Sequence, residues 1–374
     1  MSGPTSTLTT GALLQVPAYR NDHCRVKEYE YQGYPLVILE NELLLIAVLA
    51  GKGADLCEFL YKPSDTEFLL HTPRGVRAPA LLGPSPGRSP FIDYYEGGWQ
   101  EILPNGGPPC SYGGVEFCQH DEVSTLPWDY RVELNTRDEV RVAFSVRPFR
   151  TPFHLERRMV LRSAEARLTI EETLTNEGAE TLDFMWGHHP AFGAPFLGPQ
   201  CHVDLPAGDL ELVTFAGDAG GTRVAPGRHA WPLAPLRDGE GHVDYSRPDE
   251  PNSGQEDLGY VVNLPEGWCA LTNQATGVGC AMAWSLDTFP YLWVWRQFNR
   301  STGYPWFGQV YTLALEPWSS YPSAGLAAAV ENGTAARLGP GEQRSTQLHA
   351  MAFHGARRIA HVAPDGSLEL VPVA

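Results

Sequence analysis

Val140-Arg141-Val142-Ala143-Phe144-Ser145-Val146 is written in period two. Val140, Val142, Phe144 and Val146 share one parity; Arg141, Ala143 and Ser145 share the other. Side chains of an extended chain alternate between faces, so this stretch reads as a half-buried antiparallel strand. Residues 167–174 repeat the pattern. Leu168, Ile170 and Leu174 fall on one side, and Arg167, Thr169, Glu171 and Thr173 on the other. Turn residues separate such runs: Asn176-Glu177-Gly178, Pro199-Gln200, Gly339-Pro340-Gly341 and Pro364-Asp365-Gly366. With 38 glycines and 32 prolines, long helices have little room. One short helix is expected over 323–331, where Leu326 and Val330 are spaced i, i+4 and Asn332-Gly333 is a stop signal. Residues 216–259, rich in Gly, Pro, Asp and Arg, read as long loops on the sheet. The fold class is all-β: a large antiparallel β-sandwich, with residues 1–374 as a single domain.

Composition narrows the function. The chain has 374 residues, of which 43% are hydrophobic and 19% charged, enough for a sizeable core. Its formal net charge of −17 repels polyanions, which disfavours nucleic acid and anionic membrane surfaces as partners. Only Lys27, Lys52 and Lys62 are lysines, which reads as genome composition bias. No apolar run reaches the roughly 18 residues of a membrane span, and no signal peptide is evident at the N-terminus. Seven scattered cysteines without a CxxC pair suit a reducing compartment, so a cytoplasmic location is expected.

Three places can carry chemistry. Gly97-Gly98-Trp99-Gln100-Glu101-Ile102-Leu103-Pro104-Asn105-Gly106-Gly107 is a Gly-rich stretch, followed by Gln119-His120-Asp121-Glu122. Glycines let a backbone approach a ligand closely, and Trp99 offers an apolar face. Read without a following helix, the stretch is not a phosphate cradle. The second place is Trp186-Gly187-His188-His189-Pro190-Ala191-Phe192-Gly193. Adjacent histidines on a strand point to opposite faces, so only one can enter a given pocket. Pro190 is expected to end ladder pairing there. The third is Val310-Tyr311-Thr312-Leu313-Ala314-Leu315-Glu316-Pro317-Trp318. Tyr311, Leu313 and Leu315 face the core. Val310, Thr312, Ala314 and Glu316 form a concave face with the carboxylate at its floor or rim, and Pro317 marks the end of pairing.

The ordered set of a Gly-rich loop, a His, a His-Pro-x-Phe and a late Leu-Glu-Pro resembles the aldose 1-epimerase (galactose mutarotase-like) superfamily. Supporting features are Thr175-Asn176-Glu177-Gly178, Phe289-Pro290-Tyr291-Leu292-Trp293-Val294-Trp295 and Leu338-Gly339-Pro340-Gly341-Glu342. The likeness runs from about Gly97 to the C-terminus. It implies a β-supersandwich with a sugar site on its concave face. It implies Glu316 as general base, His189 as general acid, and His120 as a hydrogen-bond partner near the sugar ring oxygen; His188 has no counterpart and is read as structural. Trp99, Gln100, Asn105 and Trp295 are candidate sugar contacts, as are Arg88 and Arg296, either of which can supply the family's sugar-binding arginine. Trp293 and Tyr291 can also stack on a sugar ring. The chain departs from the pattern in Asp121 and Glu122, where a Gly often follows the histidine. Ser124 stands where the hexose-6-phosphate branch often has Arg. Those carboxylates would repel a phosphate, so the expected substrate is a neutral monosaccharide.

Mutarotation moves protons only. A base takes the C1 hydroxyl proton and an acid protonates the ring oxygen; the ring opens, C1 rotates and the ring closes on its other face. Neither metal nor cofactor is required. At reference pKa values of about 4.3 and 6.5, a glutamate is ionised at neutral pH and a histidine can deliver a proton. Two rivals stand beside this reading. One is a sugar-binding sensor that does not turn its ligand over. The other is a metal enzyme using His120, His188 or His189, and Glu122, although no HxH or HxxxH pair supports it.

Overall fold

The 140–146 alternation forms a strand, Glu139–Val146, in which every second residue is buried. In the computed structural model, which describes residues 22–78, 90–213 and 223–372, this strand belongs to an antiparallel 8-stranded sheet. A 12-stranded sheet lies against it. Val142, Phe144, Leu168 and Ile170 of the smaller sheet share one core with Leu56, Phe192, Leu313 and Leu315 of the larger. Facing sheets bury their inner parities in this way.

Five strands at the centre of the larger sheet carry the site. They are β1 (Trp99–Ile102), β2 (Gly187–Gly193), β3 (Gln255–Val262), β4 (Tyr291–Phe298) and β5 (Tyr311–Trp318). Their spatial order is β1-β2-β5-β4-β3. Their outer face gathers a second apolar group, which includes Ile102, Ala191, Tyr260, Trp293, Ala314 and Trp318. Leu326 and Ala329 of helix α1 (Leu326–Glu331) pack on it. The helix ends at Asn332 as the sequence indicates, but begins after Gly325. Among the described residues, no helix is long and apolar enough to cross a membrane.

Two expectations need correction. Residues 216–259 are not all loop: 216–222 lie outside the described residues, but short strands form at Gly227–Ala230, Leu233–Pro235 and His242–Asp244, and β3 begins at Gln255. Three- and four-residue strands are too short for period two to stand out. Nor do the prolines end their strands, for β2 continues through Pro190 to Gly193, and β5 through Pro317 to Trp318. A proline removes one ladder donor, and the neighbours on each side keep the strand aligned. His188 to Pro190 pair with β1, and Leu315 to Pro317 with β4. Between β2 and β5 the ladder pairs Gly187 with Trp318 and resumes at Ala191 with Ala314. The register is unchanged across this gap, so His189 stands directly across from Glu316.

Candidate active site

The gap in the β2–β5 ladder is the floor of a cavity of about 510 Å³. His189 and Glu316 project into it from adjacent strands, and His120 joins them from a loop. His189 Nε2 lies 3.7 Å from Glu316 Oε1. The His120 and His189 ring centroids are 5.4 Å apart. Phe91, Tyr95, Trp293, Trp295 and Trp306 form apolar walls, while Gln119, Glu256 and Ser323 add polar groups. None of the described lining residues is Lys or Arg.

Two of the three central groups, Glu316 and His120, are held by a hydrogen bond from a neighbour. Glu316 Oε2 accepts a 3.0 Å hydrogen bond from Trp318 Nε1, two residues along the same face. The Trp318 indole stacks on Trp293 at 3.9 Å between centroids and 12° between planes. Gly187 and Gly106 let it lie there: a Cβ on Gly187 would stand 2.2 Å from Trp318 Cδ2, and one on Gly106 2.4 Å from Cζ3. With Trp293 behind it, the indole cannot retreat. Gly187→Ala should therefore lower stability by about 1–3 kcal/mol through overpacking. Chemical denaturation and the near-ultraviolet dichroism of the tryptophans check this; an unshifted midpoint would mean that the indole has room. His120 accepts at Nδ1 from the Gly107 backbone N–H at 3.2 Å, which leaves Nε2 as the N–H of its neutral ring.

Burial reverses the reference ionisation of the pair. Desolvation pushes the Glu316 carboxyl up to about 8, although the Trp318 hydrogen bond opposes it. Desolvation takes the His189 imidazole down to about 4. It also holds His120 well below its ordinary value, with His189 adding to the effect. At neutral pH the pair thus carries its proton on Glu316, with His189 neutral. The expectation of an ionised glutamate beside a protonatable histidine misses this because it uses solvent-exposed reference values.

The other candidate residues are dispersed. Trp295 lines the cavity, as does Trp293. Trp99 turns to the opposite face of the sheet, where its indole donates to His188 Nδ1 at 3.2 Å within the inter-sheet core. Gln100 is buried beside His189 in the β1–β2 register and donates to Gly97 O at 2.6 Å. Asn105 braces its own loop, and its Oδ1 accepts from the Leu326 N–H at 2.7 Å, capping α1. Arg296 lies on the core face of β4 near Asp257 and Asp249, over the Tyr245 ring. Arg88 lies outside the described residues. Tyr291 packs on Tyr321. Asp121 and Glu122 do not line the cavity: Asp121 pairs with Arg150, and Glu122 accepts from the Phe149 and Arg150 backbone N–H groups.

Trp318, Phe91, Tyr95, Trp306 and Glu256 were not foreseen. Trp318 alone had a local signal, since it shares parity with Glu316. The others come from separate loops and strands, which no spacing brings together.

His188, read as structural, is enclosed between the sheets. Its Nε2 is 3.1 Å from Glu172 and its Nδ1 3.2 Å from Glu101. These three are the only described residues grouped as metal ligands would be, and they are not the set with His120 and Glu122. Arg157 bridges the two carboxylates, with Nε 2.9 Å from Glu172 and Nη2 paired with Glu101, so a cation of the chain's own already serves them. Burial by itself would lower His188, but the two carboxylates outweigh it and raise its pKa.

Comparison with solved structures agrees with this architecture. A protein named as a candidate aldose 1-epimerase from Klebsiella pneumoniae superposes with a TM-score of 0.68 at 14% identity, over 88% of this chain and 83% of that one. A galactose mutarotase related enzyme from Lactobacillus acidophilus gives 0.58 at 15%, over 87% and 97%. A galactose mutarotase-like protein from Clostridium acetobutylicum gives 0.58 at 13%, over 89% and 99%. These likenesses establish the galactose mutarotase-like fold. No curated protein matches the chain. The family model described as a domain of unknown function, DUF4432, matches residues 31–351. The chain therefore belongs to the DUF4432 family, built on a galactose mutarotase-like all-β fold.

Proposed function

We propose that this protein is an aldose 1-epimerase that interconverts the anomers of an uncharged sugar, with Glu316 as base, His189 as acid and His120 hydrogen-bonding near the ring oxygen. One observation carries the reading: His189 Nε2 and Glu316 Oε1 stand 3.7 Å apart, facing one cavity. The C1 hydroxyl and the ring oxygen are bonded to the same carbon, so the groups that serve them must be side by side. The uncharged substrate is supported by the lack of Lys and Arg among the described lining residues.

The proton count fits a closed cycle. The reaction starts from the pair's other tautomer, in which the proton has moved from Glu316 to His189, 3.7 Å away. Glu316 then takes the C1 hydroxyl proton while His189 gives its own to the ring oxygen, and the C1–ring oxygen bond breaks to leave the open-chain aldehyde. The pair then holds its proton on Glu316, where burial favours it. After rotation the steps reverse on the other face. The pair carries one proton throughout, so kcat/KM should be level between about 4 and about 8. It should fall below about 4, where His189 binds a second proton, and above about 8, where Glu316 loses the only one. A rate that climbs through pH 8 would contradict the one-proton pair.

Polarimetry on freshly dissolved α-glucose and α-galactose tests the activity. Faster decay than in buffer supports it. Sugar binding in calorimetry without acceleration would instead identify a sugar-binding protein.

A further inference from the structure

The cavity continues well past the proton-transfer pair. Glu256 lies two strands from Glu316 across the sheet, because β5 pairs with β4 and β4 with β3. It also lies four residues along, since Glu256 is level with Gln297 and Gln297 with Thr312. At about 4.8 Å between strands and 3.3 Å per residue, the two backbone positions are roughly 16 Å apart. Glu256 therefore lines a part of the cavity away from Glu316 and His189. The space between is walled by Trp295 and Trp306, whose ring centroids are 5.9 Å apart, and Tyr95 packs against Trp306 at 5.5 Å. Tyr304 completes this end. Its loop is fastened to the body, where Tyr304 OH donates to Asp93 and Arg74 donates to Pro305 O.

The Glu256 carboxylate is oriented from behind. Ser301 Oγ donates to its Oε2 at 2.8 Å, and Gln297 Nε2 donates to Ser301 Oγ at 3.0 Å. A fixed acceptor beside indole faces suits a second sugar ring: C–H faces lie on aromatic rings, and hydroxyls donate to a carboxylate.

We infer that Glu256, Trp295 and Trp306 form a second sugar subsite, and that the substrate is a reducing disaccharide whose free anomeric carbon sits at the His189–Glu316 pair. The place of that carbon rests on the mutarotase reading; the second subsite itself stands on the distal geometry.

The test compares freshly dissolved single anomers of maltose, cellobiose and lactose with glucose, the reducing-end unit of all three. At least one disaccharide should show a kcat/KM above that of glucose. In Glu256→Gln the ratio of disaccharide to glucose kcat/KM should drop roughly 10–100-fold, as expected when hydrogen bonds to a charged group are lost, and in Trp306→Ala, which removes an aromatic face, it should drop as well. Glucose turned over as well as every disaccharide, or a ratio unmoved by both variants, would overturn the subsite and leave the mutarotase reading standing. If no sugar is accelerated, that reading fails by itself. Calorimetric titration with the same four sugars then decides the subsite: tighter disaccharide binding that Glu256→Gln weakens supports it, and equal or no binding overturns it.

Discussion

Glu316→Gln should lower the rate of sugar anomerisation by about 10²–10⁴-fold, the usual contribution of a positioned proton-transfer group. The fold should be untouched. Burial already keeps the carboxyl protonated at neutral pH, so an amide of the same shape brings no loss of charge. The amide oxygen can still accept from Trp318 Nε1, which now donates to Glu316 Oε2 at 3.0 Å. Stability should change by no more than about 0.5 kcal/mol, as for a substitution that breaks no partner. Polarimetry and a denaturation curve on the same preparation measure both. A variant with its full rate would remove Glu316 from the reaction. A variant that unfolds would show that the glutamate's role is structural.

Arg157→Met should be the most damaging single change to stability, at about 3–5 kcal/mol. The guanidinium is 1% exposed, between two carboxylates that are fully buried. It also donates to Ala54 O at 3.0 Å and lies 4.9 Å above the Trp128 ring. Methionine fills much of the volume but leaves Glu101 and Glu172 facing each other, with His188 between them and the Trp186 indole N–H on Glu101 as the remaining partners. Coulomb repulsion between them is then less fully compensated, in a medium that solvates charge poorly. Adding Glu101→Gln and Glu172→Gln to Arg157→Met should recover a large part of the loss, because neutral amides remove the buried charge. Urea denaturation of the single and combined variants gives the coupling energy. A loss below about 1 kcal/mol in Arg157→Met would mean that the network is not ionic. Because His188 and His189 are neighbours on β2, this network also backs the strand segment that presents His189.

Alternation was legible because it is a local backbone property. A strand puts residues i and i+2 on the same face wherever it sits, so the buried parity of 140–146 and the concave parity of β5 could both be read along the chain. The same rule separated His188 from His189 before any fold was known. It also held an unused clue. Glu172 continues the buried series Leu168, Ile170, Leu174, and Arg157 shares the parity of Phe153, Leu155 and Met159, all of them buried. A charged residue on an apolar parity needs a partner, but only the packing of two sheets shows that these find each other, with Glu101 and His188.

What the sequence by itself determined is the all-β class, the facing of the patterned strands at 140–146, 167–174 and β5, and the candidacy of Glu316, His189 and His120. The tertiary structure alone decided what surrounds them. Trp99, Asn105 and Arg296 carry suitable side chains near suitable motifs, yet they point into the core or brace a loop. Glu256, Tyr95 and Trp306 have no motif, yet they line the cavity. The physical reason is range. Which face a residue occupies depends on its own backbone and its nearest neighbours. Which residues share a cavity depends on strand order and loop paths across more than two hundred positions, and no local period records those. The ionisation of the pair belongs with the second kind, because desolvation is a property of the closed cavity and not of any residue in it.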